Sequence, residues 1–126
     1  MTVVLDSSAI LAVIRGEPGR DRVLEAVQDA TMSTVNFAEV VSKPVERGST
    51  ERDVERITDP FALSLRPFDA APARESGLLR TAAMENVLPL GDPACLAPGL
   101  ALEAPVLTAD RAWAGLDVGV AVEVIR

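Results

Sequence analysis

Short β-branched apolar runs alternate with helix-patterned stretches along the whole chain, and this alternation constrains the fold more than any other feature. A chain that repeats strand and helix closes most readily into βαβ units around a mainly parallel sheet. Residues 2–5, Thr-Val-Val-Leu, read as a strand buried on both faces. A short helix over 7–14 follows and is stopped by Gly16-Glu17-Pro18-Gly19. Val23, Leu24 and Val27 stand at helical spacing within 20–29. A weaker strand over 31–34 leads into a helix over 36–46 that carries Phe37, Val40 and Val41 on one side. Pro44 removes one backbone bond inside that helix and should kink or shorten it.

The second half repeats the scheme. Thr50 with Asp53 marks the start of a helix reaching about residue 57, and 63–68 reads as a third strand. Asp69 opens a helix to about residue 85, and Asp92-Pro93 opens another to about residue 103, which Pro98 must distort. Residues 105–109 give a fourth strand, 111–116 a short helix and 118–125 a last strand. The expectation is an α/β chain of one domain, residues 1–126, with a mainly parallel sheet of five strands.

Composition narrows the chemistry. The chain has one Cys and no His, which excludes a disulfide framework, a Cys/His zinc site, a His general base and a Ser-His-Asp triad. Carboxylates, hydroxyls and arginines must then do any catalytic work. Asp and Glu number 19 against 12 Lys and Arg, a formal charge of −7, which argues against simple electrostatic binding of nucleic acid. The apolar run at residues 1–5 is broken by Asp6 and lacks a basic lead, so it does not read as a signal peptide. No run nears the ~20 apolar residues that span a bilayer, so a cytoplasmic protein without membrane association is expected, with Cys95 reduced and buried.

Four acids stand out by position. Asp6 directly follows the first strand, Asp110 follows the fourth, Asp92 opens a helix, and Glu39 lies near the start of the helix after the second strand. In doubly wound sheets, ligands bind beyond the C-terminal strand ends, where the strand order reverses. With the common order 3-2-1-4-5, Asp6 and Asp110 face each other there, and Glu39 starts from the same edge. Carboxylates gathered in one pocket repel and raise each other's pKa. A divalent cation removes the conflict, and Mg²⁺ suits such oxygen ligands together with substrate phosphates. Metal-dependent phosphodiester hydrolysis fits this composition without any His.

Each acid also has a purely structural reading. Asp6, Asp92 and Asp110 precede helices and can cap them, and Glu39 stands three residues after Asn36 as in a capping box. Ser7, Ser8 and Thr108 can orient carboxylates, although hydroxyls more commonly bond nearby backbone. Arg15, Arg74, Arg80 and Arg111 are candidate contacts for phosphates or for a partner, and Trp113 reads as core or interface.

Four segments in order carry a resemblance: Val4-Leu5-Asp6-Ser7-Ser8-Ala9, Asn36-Phe37-Ala38-Glu39-Val40, Leu90-Gly91-Asp92-Pro93-Ala94-Cys95-Leu96-Ala97 and Leu107-Thr108-Ala109-Asp110-Arg111-Ala112-Trp113. Together they resemble the motifs of PIN-domain ribonucleases, and among these the VapC toxins of type II toxin–antitoxin systems. The resemblance implies a three-layer α/β/α sandwich and a Mg²⁺- or Mn²⁺-dependent endoribonuclease that cleaves RNA. It also implies a homodimer, and inhibition by a cognate antitoxin whose tail enters the acidic site. By this match Asp6, Glu39, Asp92 and Asp110 form the catalytic quartet, with Asp6, Asp92 and Asp110 as metal ligands. Glu39 would hold or activate water, with Ser7 and Thr108 in support.

Two other readings stay open. Pro44, Pro93 and Pro98 fall in or beside the site helices and suit a PIN-like module that binds antitoxin or RNA but cuts poorly. Strand-end acids also suit a phosphoacceptor domain, but Lys43, the only Lys, lies on the Glu39 helix rather than at a strand end. Setting the quartet aside leaves 15 acids against 12 bases, so much of the chain's acidity belongs to the proposed metal pocket.

Overall fold

The computed structural model describes residues 2–79, 93–115 and 119–126. Its strands are β1 (Val3–Leu5), β2 (Ala30–Ser33), β3 (Ser64–Arg66), β4 (Val106–Thr108) and β5 (Val122–Val124). They form one sheet in the order β3-β2-β1-β4-β5, and every neighbouring pair is parallel. The helices are α1 (Ser7–Ile14), α2 (Arg20–Ala26), α3 (Thr34–Glu46), α4 (Glu51–Thr58), α5 (Ala70–Leu78) and α6 (Pro93–Leu102), with short 3-10 turns at Val27–Asp29, Asp59–Phe61 and Arg111–Trp113. The expected α/β class, strand order and sandwich are therefore present.

The two-residue period of a strand explains the layers. In β1, Val3 and Leu5 join Ala9, Ile10, Val23, Met32 and Val40 in a core beneath α1, α2 and α3. Val4 points the other way and joins Cys95, Leu96, Val106 and Trp113 beneath α6. Trp113 is thus a core residue, and Cys95 is a free, buried thiol. Strands β1, β2 and β4 are buried throughout, whereas the edge strand β3 is exposed along its length.

Two glycines allow close packing. Gly19 has φ +94°, and a Cβ there would lie 2.6 Å from the Ile125 carbonyl oxygen. A Cβ on Gly99 would lie 2.7 Å from Val120 and 2.9 Å from Val106, so the missing side chain lets α6 sit down on the sheet.

Several boundaries differ from expectation, each for a local reason. Helix α3 starts at Thr34 rather than residue 36, because the Ser33 hydroxyl at the end of β2 accepts from the Val35 N–H and caps it. It runs through Pro44 to Glu46, and the Pro44 carbonyl accepts from the Arg47 and Ser49 N–H groups as the helix closes. Helix α6 likewise runs through Pro98 to Leu102. The stretch expected as one helix over 20–29 tightens into a 3-10 turn after Ala26, and the helix expected over 111–116 is a 3-10 turn. The last strand keeps only Val122–Val124. At α4 the expected cap is a reciprocal capping box: Asp53 N–H donates to Thr50 Oγ1 at 3.2 Å and Thr50 N–H to Asp53 Oδ2 at 3.0 Å. Asp69 stands at the N-cap of α5 without a side-chain capping bond.

Candidate active site

Strand β1 lies between β2 and β4, so the chain leaves it in one direction and returns on its other side; the ligand crevice of such sheets opens at that reversal. Leu5 pairs in register with Leu107, and the Asp6 N–H donates to the Leu107 carbonyl at 3.0 Å. This register puts the first acid beside Thr108.

Asp6 is 6% exposed, and both of its hydroxyl bonds fall on Oδ2. Ser8 Oγ donates to that oxygen at 2.5 Å and Thr108 Oγ1 donates at 3.0 Å. Each hydroxyl is itself held by backbone: Ala109 N–H donates to Ser8 Oγ at 2.9 Å, and Asp110 N–H to Thr108 Oγ1 at 3.1 Å. With one proton each, the two hydroxyls are aimed from behind at the carboxylate. Asp6 also caps α1, accepting weakly from the Ser8 N–H at 3.4 Å. Burial raises its pKa; the hydrogen bonds from Ser8 and Thr108 oppose the rise without cancelling it.

Glu39 projects from the second turn of α3 and is half-buried. Its pKa is raised first by burial and then by the negative charge of Asp6, while hydrogen bonds from Asn36 and Ser7 and the charge of Lys43 act in the opposite direction. Asp6 and Glu39 thus lie close enough for their charges to interact. The capping-box reading of Asn36 and Glu39 is corrected: Ser33 is the cap, and the Asn36 amide Nδ2 donates to Glu39 Oε1 at 3.1 Å within the helix.

Asp110 follows β4 on the same edge but is exposed, and its Oδ1 accepts from the Ala112 N–H at 2.9 Å as the cap of the 3-10 turn. Asp92 and Arg80 lie outside the described residues. Among the described residues no three acidic, His or Cys side chains gather closely enough to form a ligand cluster. Arg111 is exposed next to Asp110, whereas Arg15 stands at the opposite end of α1 from Asp6, near Glu17, and Arg74 is exposed on α5. A hollow of about 480 Å³ opens beside Asp110, lined also by Ser8, Ala109, Arg111 and Arg126. Arg126 reaches it from the end of the chain, its Nε donating to the Ala109 carbonyl at 3.2 Å while Nη1 pairs with Glu17. Sequence reasoning missed Asn36 as a site residue and did not single out Arg126; the Asn-to-Glu spacing was the visible signal for the first, and nothing local marked the second.

The donor set fits a hard divalent cation. It is all oxygen, Asp6 and Glu39 are each destabilised in their charged form, and the ion pairs of the described residues involve other acids.

Residues 3–118 match the family model of the PIN domain. The chain belongs to the PIN domain family. Ribonuclease VapC42 of Mycobacterium tuberculosis and a VapC ribonuclease of Mycobacterium bovis are each 30% identical over 77 residues, a stretch covering 57% of this chain and 59% of each relative. The matched stretch thus spans about six-tenths of the length of these curated relatives. Among solved structures, this PIN fold is similar to VapBC2 from Rickettsia felis bound to a promoter DNA fragment, with TM-score 0.74, 18% identity and 98% of each chain covered. It is also similar to VapBC-5 from Mycobacterium tuberculosis, with TM-score 0.65, 24% identity, and 99% of this chain and 98% of that one covered. FitAcB from Neisseria gonorrhoeae aligns at TM-score 0.70 and 23% identity, covering 97% of this chain and 96% of that one.

Proposed function

We propose that this PIN protein is a metal-dependent endoribonuclease, the toxin of a toxin–antitoxin pair, which cleaves RNA phosphodiester bonds and is silenced by a cognate antitoxin. One observation carries the reading: a buried Asp6 carboxylate, aimed by Ser8 and Thr108 at the β1–β4 edge and coupled electrostatically to Glu39. The relatives named as VapC ribonucleases support the activity, and the VapBC structures support the antitoxin.

In this reading Asp6, Asp92 and Asp110 would hold Mg²⁺ or Mn²⁺. When bound, such an ion would offset negative charge on a phosphodiester and lower the pKa of water. The protein's own groups do the rest. Ser8 and Thr108 keep Asp6 oriented by bonding its charged form. Glu39, its pKa raised by burial and by the charge of Asp6, would accept a proton from the attacking water. Arg111, exposed beside Asp110, meets a flanking RNA phosphate, since a guanidinium can bind one bidentately. Without metal the acidic pocket repels RNA and accepts a basic antitoxin segment. The protein acts in the cytoplasm as a homodimer; among the described residues no helix is long and apolar enough to cross a membrane. The poorly cutting module loses its main support, because α3 and α6 keep their helical course through Pro44 and Pro98. Lys43, the one Lys a phosphoacceptor would use, pairs with Glu46 at 3.7 Å.

The test is direct. Purified protein should cut RNA internally in Mn²⁺ and not in EDTA, and Asp6→Asn should remove the activity. Cleavage that persists in EDTA, or full activity in that variant, overturns the reading.

A further inference from the structure

Asn36 is 1% exposed, and its Oδ1 is, among the described residues, the buried side-chain polar atom left without a hydrogen-bond partner. The other end of the same amide is employed, since Nδ2 donates to Glu39 Oε1 at 3.1 Å. Turning the amide over does not relieve the conflict. It would set Oδ1 against the Glu39 carboxylate and leave the nitrogen unmatched instead. The molecule therefore carries the desolvation cost of an unmade hydrogen bond at this position in either orientation. Leucine is similar in size and has no polar atom to leave unmatched. It would also suit a helix whose neighbouring Val40 packs into the core and whose Phe37 packs partly against it. The amide is thus poorly explained by stability, and Glu39 is what its N–H reaches.

We propose that Asn36 is a positioning residue of the cleavage reaction: its buried amide N–H, bonded to Glu39 Oε1, orients the carboxylate that acts on water. This rests on the endoribonuclease reading, and it adds a residue that acts on substrate only through Glu39.

The experiment measures kcat, KM and melting temperature for the wild type, Asn36→Leu and Asn36→Ala, in Mn²⁺ with a single RNA substrate. Positioning predicts that Asn36→Leu melts no lower than wild type while kcat falls about 10- to 100-fold and KM holds. Asn36→Ala also removes the donor, adds no charge beside Glu39 and needs no extra room, so the same fall in kcat is expected if the leucine variant fails to fold. In a Glu39→Gln background neither change should cost further activity. A lowered melting temperature with kcat intact overturns the proposal in favour of a structural role. So does a loss that simply adds to that of Glu39→Gln. A wild type that cuts no RNA in Mn²⁺ defeats the endoribonuclease reading itself and this proposal with it, an outcome distinct from active variants of an active enzyme.

Discussion

The ends of β1 and β4 begin from the same local grammar and finish differently. Each strand is followed by an Asp that caps the next helical element, Asp6 on α1 and Asp110 on the 3-10 turn. Asp6 is enclosed, with Ser8 and Thr108 donating to it and Glu39 close enough to feel its charge. Asp110 is exposed, and its carboxylate accepts from the backbone N–H of Ala112. A cap residue thus becomes a site residue when neighbouring strands and an overlying helix close around it. The capping bond itself does not distinguish the two.

This contrast can be broken most forcefully through activity. Asp6→Asn should lower RNA cleavage by more than about 100-fold, beyond the usual effect of a supporting residue, and Asp110→Asn by less, read as initial rates in Mn²⁺. Equal losses would mean that metal draws the exposed carboxylate into the same environment as the buried one. Next come the hydroxyls: Ser8→Ala and Thr108→Val should each cost about 10- to 100-fold in cleavage or in Mn²⁺ affinity, the latter measured by paramagnetic resonance titration.

Stability should separate the two aspartates by sign. Asp6 and Glu39 have pKa values above their ordinary 3.8 and 4.5 in the folded chain, so the native state holds protons that the unfolded chain releases. Their contribution therefore favours folding at acid pH and is lost as pH rises from those ordinary values through the raised ones. In EDTA at neutral pH, Asp6→Asn should raise the melting temperature, and the gain should shrink on acidification. Asp110→Ala should lower stability by about 0.5–2 kcal/mol, the usual loss of an N-cap. Chemical denaturation of both variants across pH would show the crossing; a destabilised Asp6→Asn in EDTA would contradict the burial argument. The smallest effect belongs to the rim. Breaking the exposed Arg22–Glu123 pair, 2.7 Å apart, should cost at most about 1 kcal/mol in a double-mutant cycle and leave cleavage unchanged.

Much of this was legible in the chain. Buried parallel strands announce themselves as short apolar runs, and the common order 3-2-1-4-5 assumed for them is the order observed. Asp6, Ser8 and Thr108 were visible as strand-end groups, but their meeting was not, since Asp6 and Thr108 are 102 positions apart. The reading of Asn36 failed for a different reason. Its spacing to Glu39 fits both a capping box and a buried clamp, and only the position of Ser33 as the true cap separates them.

The sequence by itself determined the alternating pattern, the all-oxygen chemistry left by one Cys and no His, and the acids that follow the strands. These are local or compositional properties, written in periodicity and residue type. The tertiary structure decided which acid is buried, which hydroxyls aim it, and that Glu39 shares its field while Asp110 faces outward. Burial and electrostatic coupling depend on what packs around a group, and here those neighbours arrive from β4 and α3 through pairing far along the chain.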